Sequence, residues 1–181
     1  MKLILISPIH TIPNEQEIAI SLFEKGLESF QVHKPSMLKE EIQNYIHSFP
    51  KKYHEKIALH SQFPKFHSLK ELNNYIQPSP PTRKTCFFLS PIFNSISKRG
   101  YHSKFNFQEL KVFLKKYNSS LISKNLGVAI ALGGIDEEKI EIVRELGFSG
   151  VGVLGAIWES NDPIEKFVRL KILCQKKDHA Y

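Results

Sequence analysis

The chain has 181 residues, of which 41% are hydrophobic and 24% charged, a composition that excludes disordered and collagen-like chains and fits one globular domain. Its formal net charge of +7 favours anionic partners, but no basic run with interleaved aromatic residues is present, so we expect no nucleic-acid partner. The opening apolar run, residues 3–6, is too short for a signal peptide or a membrane span, which predicts a cytoplasmic protein with no membrane partner.

Short hydrophobic runs at regular intervals predict six β-strands. The runs are nearly continuous rather than alternating, as expected for parallel strands that are covered on both faces. In chain order, the predicted strands span residues 3–7, 29–33, 56–60, 85–90, 127–132 and 150–154.

Segments with helical periodicity separate the predicted strands. In chain order, the predicted helices span residues 15–28, 36–47, 68–76, 106–117, 136–146 and 163–174. Asn14 with Glu17, and Ser68 with Glu71, have the spacing of capping boxes. The sequence Asn-Asp-Pro at 161–163 is typical of a helix start.

The alternation of strands and helices predicts a parallel sheet with right-handed crossovers. A TIM-type barrel and an open doubly wound sheet both have this order of elements. The turn after the first strand, residues 7–10, lacks the Gly-x-Gly-x-x-Gly pattern of dinucleotide-binding sheets, so we predict one α/β barrel domain over residues 1–181. Because full barrels take about 250 residues and compact ones about 200, the barrel should be incomplete, with one βα unit and a further strand missing after the third strand.

Two glycine turns follow the last two predicted strands. Gly133 and Gly134 come after one strand, and Gly155 and Ala156 come after the next. Glycines let backbone N–H groups approach an anion closely, and the loops after the last strands of TIM barrels often bind phosphate. The four residues therefore predict a phosphate-binding site; the alternative is that the glycines only permit tight turns.

The segment 90–100 also leaves the end of a predicted strand. It is rich in hydroxyl groups and cations, and Ser95, Ser97 and Lys98 could donate hydrogen bonds to phosphate or diphosphate oxygens. The alternative for this segment is an exposed polar loop.

Histidines stand near the ends of several predicted strands: His10, His33, His60 and His67. Such a set could serve a metal-dependent hydrolase, but no carboxylate stands at these strand ends before Asp136. Anion binding or simple hydrogen bonding is therefore the expected role of the histidines. Since Cys86 and Cys174 lack metal-binding spacing as well, we predict no metal ligands.

Several of these segments, taken in chain order, resemble the thiamine phosphate synthases and their thiazole tautomerase relatives. Residues 88–98 resemble the family's Gly-Pro-x-Phe-x-Thr-x-Thr-Lys loop, with serines in place of threonines, and residues 67–71 resemble its His-Ser/Thr-x-x-Glu helix start. Residues 132–135 and 153–157 are similar to its two phosphate-binding turns, and residues 31–35 to its Gln-x-Arg-x-Lys strand end. The likeness extends over most of the chain.

The resemblance implies a TIM-type barrel and a condensation, in which a thiazole phosphate displaces diphosphate from hydroxymethylpyrimidine diphosphate to give thiamine phosphate. It implies that Lys34 and Lys98 are catalytic. The residues that would bind the substrate and its diphosphate are Gln31, His33, His60, Ser95 and Ser97. The residues that would hold the thiazole phosphate are Gly133, Gly134, Gly155 and Ala156.

The sequence departs from the family's pattern where Mg²⁺ is expected to bind. The family has an Asn-Asp pair after its third strand and a second Asp after the next strand. Here the pair reads His60-Ser61, and the chain reaches His67 without room for the second Asp. The chain has only three aspartates, at positions 136, 162 and 178, so the Mg²⁺ that the family implies lacks its aspartate ligands. The position of the tautomerase's catalytic histidine is taken by Pro91.

Three functions remain open from the sequence: a divergent synthase, a non-catalytic relative that binds a thiazole or thiamine phosphate, and a histidine-based metal-dependent hydrolase. The expected partners are small phosphorylated substrates. A missing unit exposes strand edges and apolar surface. We therefore expect a barrel that is open after the third strand and patched by Phe63, Phe66 and the proline-rich segment 77–84, or covered by a second subunit in a homodimer.

Overall fold

A computed structural model describes residues 1–76, 86–94, 102–120 and 127–176. Within these residues, seven parallel strands form one sheet. In chain order, they are β1 (Lys2–Ile6), β2 (Ser29–Val32), β3 (Ile57–Leu59), β4 (Lys65–Phe66), β5 (Cys86–Leu89), β6 (Val128–Leu132) and β7 (Gly150–Val153). Their order across the sheet is β3-β2-β1-β7-β6-β5-β4.

Helices follow most of the strands and pack against the sheet. In chain order, they are α1 (Glu15–Glu24), α2 (Lys39–His47), α3 (Leu69–Ile76), α4 (Phe107–Asn118), α5 (Ile140–Leu146), α6 (Gly155–Trp158) and α7 (Pro163–Gln175). Short 3₁₀ helices span Lys51–Lys56, His60–Gln62 and Glu137–Lys139. Among the described helices, none combines the length and the apolar character that a membrane crossing needs.

Alternating side chains on the strands divide the hydrophobic core into two parts, because successive residues point to opposite faces of a sheet. The outer and larger part lies between the sheet and the helices and contains Phe30 and Phe87. The inner part consists of Ile4, Ile6, Phe88 and Ile130, with Phe63 packed against them. Phe87 and Phe88 are neighbours in the sequence, yet they belong to different cores.

The sheet is strongly curled. His60, directly after β3, and Phe88, on β5, are five strands apart in the sheet order, yet their ring centroids are only 5.1 Å apart. Since neighbouring strands are about 4.8 Å apart, a flat sheet would separate these rings by about 24 Å. The strands therefore wrap into an incomplete barrel of the TIM type, which confirms the predicted fold class.

The barrel opens between β3 and β4, which are the two edge strands of the sheet. We call this opening the seam. Phe63 fills the inner side of the seam, where its ring packs edge-on against Phe88 with the centroids 6.3 Å apart. Phe66 instead belongs to the outer core and packs against Phe87 at 5.9 Å. Both residues lie where the sequence predicts patching, and the segment 77–84 lies outside the described residues.

The strand β4 is absent from the sequence prediction, which gives six strands where the described residues hold seven. It has only two residues, one of them a lysine, so no hydrophobic run marks it. Its register pairs Lys65 with Phe88 and Phe66 with Leu89. Within the described residues, the sheet thus has one strand fewer than a full barrel, whereas the sequence predicts a barrel that is two strands short.

The predicted helix starts are confirmed where a side chain caps the helix. The side chains of Asp162 and Ser68 each accept a hydrogen bond from the backbone N–H three residues further on, at 2.8 and 3.1 Å. The capping box predicted at Asn14 is wrong, because this residue adopts a left-handed φ of 58° and its side chain makes no capping bond. The first helix ends at Glu24 rather than at residue 28, since Gly26 turns the chain with a φ of 91°.

Candidate functional site

A cavity of about 410 Å³ opens at the carboxyl ends of the strands, where ligands bind in parallel α/β folds. Its walls come from the segments that follow six of the strands. Gly133 and Gly134, after β6, lie in its wall beside Gly155 and Ala156, at the start of α6. The four residues predicted to bind phosphate are therefore gathered in one cavity.

The turn after β6 requires glycine at both positions. Gly133 and Gly134 have φ angles of 95° and 65°, which residues with a Cβ rarely adopt. The segment after β5 lies directly on this turn, because the Ile92 N–H donates to the carbonyl of Leu132 at 2.9 Å and the Phe93 N–H donates to that of Gly133 at 3.1 Å. The absence of side chains thus allows two backbone segments to meet at the cavity wall.

The turn after β7 leads directly into α6. The first N–H groups of a helix lack partners within the helix, and Gly155 and Ala156 supply such groups at the cavity wall. The indole N–H of Trp158 donates to the carbonyl of Ile6 at 2.7 Å, which fastens α6 to the end of β1. An anion could be bound here by backbone donors alone.

Polar side chains from β2 and β3 form another part of the site. His60 Nδ1 is hydrogen-bonded to Gln31 Oε1 at 2.8 Å, and the ring centroids of His33 and His60 are 5.1 Å apart. Both histidines line the cavity, whereas Gln31 is fully buried behind His60. The amide nitrogen of Gln31 has no hydrogen-bond partner among the described residues.

The surroundings of His60 favour its neutral form. Burial, followed by the charges of His33 and Lys65, lowers the pKa of His60 to about 4, compared with about 6.5 for an unperturbed histidine. Near neutral pH, His60 is therefore an uncharged hydrogen-bonding group, and its Nδ1 carries the hydrogen that the amide oxygen of Gln31 accepts.

This low pKa predicts a pH dependence of folding. The unfolded chain takes up a proton at His60 below about pH 6.5, whereas the folded protein does so only near pH 4. The contribution of His60 to the free energy of unfolding is therefore complete above about pH 6.5 and is lost as the pH falls towards 4. We expect the free energy of unfolding to fall by up to about 1.4 kcal/mol per pH unit in this window. Urea unfolding at pH 7, 6 and 5 measures the slope, and His60→Asn should flatten it. Parallel curves for the two proteins would contradict the assignment.

Lys34, expected to be catalytic, does not line the cavity. Its Nζ donates to Glu15 Oε2 at 2.8 Å and to the carbonyl of His10 at 3.2 Å, and the side chains of Lys34 and Glu15 are 1% and 2% exposed. The hydroxyl of Tyr45 donates to the other carboxylate oxygen of Glu15 at 2.6 Å. Burial and this carboxylate raise the pKa of Tyr45. In this geometry, Lys34 supports the segment after β1, which is part of the cavity wall.

Three of the predicted site residues cannot be placed, because Ser95, Ser97 and Lys98 lie outside the described residues. The sequence prediction also misses Lys65 and Trp158, which line the cavity. Lys65 could have been found only after β4 had been recognised, since it is the strand alternation that turns the lysine inward.

The residues present do not fit the Mg²⁺ site that the family resemblance implies. Mg²⁺ prefers oxygen ligands, with carboxylates foremost. Among the described residues that line the cavity, Glu159 alone carries a carboxylate. No group of three or more His, Cys, Asp or Glu side chains in residues 1–76, 86–94, 102–120 and 127–176 could hold a metal ion. The hypothesis of a metal-dependent hydrolase gains no support from these residues either.

No protein-family model matches the sequence, and no curated protein sequence does. Solved structures do resemble it. Thiamine phosphate pyrophosphorylase from Bacteroides thetaiotaomicron aligns with 25% identity and a TM-score of 0.75, over 99% of this chain and 100% of that one. The protein has a thiamine phosphate synthase-like fold.

More distant structures have the same fold. Thiamine phosphate pyrophosphorylase from Pyrococcus furiosus aligns with 14% identity and a TM-score of 0.67, over 96% of this chain and 95% of that one. (S)-3-O-geranylgeranylglyceryl phosphate synthase from Thermoplasma acidophilum, in complex with its substrate sn-glycerol-1-phosphate, aligns with 13% identity and a TM-score of 0.58, over 96% and 92%. These two structures therefore share the fold of this chain.

Proposed function

We propose that this protein is a thiamine phosphate synthase-like enzyme, which condenses hydroxymethylpyrimidine diphosphate with thiazole phosphate to give thiamine phosphate and diphosphate. The observation that carries this proposal is the meeting of two glycine turns, after β6 and β7, in the wall of one cavity. The Bacteroides thetaiotaomicron thiamine phosphate pyrophosphorylase, which aligns with the chain from end to end, supports the choice of reaction.

The condensation of the two substrates requires two anion-binding sites in one cavity. The phosphate of the thiazole would be held by the backbone N–H groups of the two glycine turns. The diphosphate must lie within reach of the thiazole nitrogen, and its charge must be stabilised as the carbon–oxygen bond to the pyrimidine breaks. A substrate of the Thermoplasma acidophilum neighbour is likewise a phosphate ester.

A non-catalytic relative that binds a thiazole or thiamine phosphate is the second candidate. One observation favours it: the described residues do not provide the carboxylates that the family is expected to use for Mg²⁺. Such a protein would keep the glycine turns and bind the phosphate without turnover.

Two measurements separate the candidates. Calorimetric titration with thiazole phosphate tests the phosphate site, and oxidation of the reaction mixture to fluorescent thiochrome tests the formation of thiamine phosphate. We expect the unaltered protein to bind thiazole phosphate. We also expect it to form thiamine phosphate when hydroxymethylpyrimidine diphosphate and Mg²⁺ are supplied. Binding without product would identify the second candidate, and absence of both would exclude the two.

A negative charge placed at the start of α6 should strongly weaken binding of the phosphate. Ala156 is 7% exposed and lies in the cavity wall, so Ala156→Asp puts a carboxylate against the bound phosphate. Since like charges repel strongly in a partly desolvated site, we expect thiazole phosphate to bind at least about 100-fold more weakly. Gln108→Glu adds the same charge at an exposed position of α4 and should leave the affinity unchanged. Equal affinities for the two variants would place the phosphate elsewhere.

A further inference from the structure

The shortened barrel brings a lysine to the cavity that the sequence does not single out. Lys65 and Phe66 are the two residues of β4, and Phe66 is buried in the outer core, where its ring centroid lies 5.1 Å from that of Tyr75 on α3. Because successive strand residues point to opposite faces, Lys65 points to the inner face. It lines the same cavity as the glycine turns.

Lys65 is also a neighbour of the two histidines. Its register partner on β5 is Phe88, and the ring of Phe88 packs against that of His60. His60 in turn lies beside His33. The positive charge of Lys65 reaches His60, since it helps to lower the pKa of that imidazole. Lys65 and the two histidines therefore line the same cavity, on its side towards the seam.

The ammonium of Lys65 forms no ion pair with a carboxylate among the described residues. The described ion pairs involve Lys34, Lys139, Arg144, Lys166 and Arg169. Lys34, the other cation near β2, is neutralised by Glu15. Lys65 is thus the lysine that remains to balance a negative ligand charge among the described residues lining this cavity.

We propose that Lys65, together with His33 and His60, forms a diphosphate-binding site that works without a bound metal ion. The inference rests on the proposed function, which requires a second anion site, and it gives that site residues of this chain in place of the missing carboxylates. A lysine supplies a compact positive charge with three hydrogen-bond donors, and the imidazole of His33 can supply a further hydrogen bond. His60 lines the site as a neutral ring, because its Nδ1 hydrogen is directed at Gln31 Oε1 and its Nε2 then has no hydrogen to donate. The shortened chain at the seam creates the site, because only residues 61–64 separate His60 from β4.

Inorganic pyrophosphate is a direct probe of this site. Calorimetric titration in EDTA at constant ionic strength should give binding to the unaltered protein without any divalent cation. A hydrogen bond from a charged donor contributes about 1.5–3 kcal/mol, so Lys65→Ala should weaken the binding by about 10- to 100-fold. Lys65→Arg keeps the charge and should restore most of the affinity.

A matched control is available on the adjacent helix. Lys70 is exposed on α3 and does not line the cavity, so Lys70→Ala removes the same charge from the same region and should leave the affinity for pyrophosphate unchanged. The proposal is overturned if the unaltered protein binds pyrophosphate only with Mg²⁺ or not at all, or if Lys65→Ala and Lys70→Ala bind it equally well. Thiochrome formation that is insensitive to Lys65→Ala would also overturn it while leaving the proposed reaction intact. Conversely, Lys65-dependent binding of pyrophosphate without any thiochrome would support the site and refute the reaction.

Discussion

Replacement of Lys34 by alanine is expected to destabilise the fold by about 3–5 kcal/mol, because the substitution leaves a buried carboxylate without its counter-ion. Glu15 is 2% exposed, and its remaining donors would be the neutral hydroxyl of Tyr45 and the Ile12 N–H at 3.3 Å. Chemical denaturation at pH 7 measures the change. Because a less stable protein is partly unfolded under some assay conditions, Lys34→Ala can also lower the measured activity. Reduced activity of this variant therefore does not by itself identify a catalytic lysine.

A double substitution separates the buried charge from the packing. Lys34→Met with Glu15→Gln removes both charges and keeps similar volumes, and it should recover most of the lost stability, because neutral replacements of a buried ion pair are often well tolerated. Arg169→Ala breaks an exposed ion pair with Glu165 on α7 and should leave the unfolding midpoint unchanged. If Lys34→Ala unfolds at the same denaturant concentration as Arg169→Ala, the network around Glu15 does not stabilise the fold.

The strands of this protein are predictable from the sequence because parallel strands are covered on both faces and form continuous apolar runs. The run at 85–90 illustrates this: Phe87 and Phe88 face different cores, yet both need to be apolar. The same logic fails at β4, where the interior side chain is Lys65 and the pairing with β5 covers only two residues. A strand that lines a polar cavity at a barrel seam leaves no hydrophobic signal.

Residues of the candidate site can be predicted from the sequence where the backbone conformation determines the residue type. They are much harder to predict where a long side chain can reach several alternative partners. The turn after β6 needs left-handed φ angles, which the sequence marks with Gly133 and Gly134. The position of Lys34 after β2 marks a strand end, but its four-carbon stem reaches back to Glu15 at the start of α1. Only the packing of α1 against the sheet determines that choice, and no local pattern in the sequence contains this information.

Gly134→Ala is expected to disrupt the phosphate site through the backbone. A Cβ at this position would overlap the carbonyl oxygen of Asn94 and lie 2.8 Å from Phe93 Cβ, so the segment after β5 would have to move away from the turn. The left-handed φ of 65° costs alanine about 1–2 kcal/mol, and the steric overlap adds about 1–3 kcal/mol. Titration with thiazole phosphate should show binding at least about 10-fold weaker, and denaturation should show the combined loss of stability.

Gly147→Ala provides the control that isolates the overlap. Gly147 follows α5 with a φ of 95°, and a Cβ there would meet Leu114 and Asn118 at ordinary contact distances of 3.5 and 3.6 Å. This variant should therefore show only the conformational cost, about 1–2 kcal/mol, with full affinity for the phosphate because the residue does not line the cavity. If the two variants lose equal stability, the segment after β5 moves aside for the added methyl group at little cost. If both also bind thiazole phosphate normally, the tight contact between the two segments is not needed to hold a phosphate.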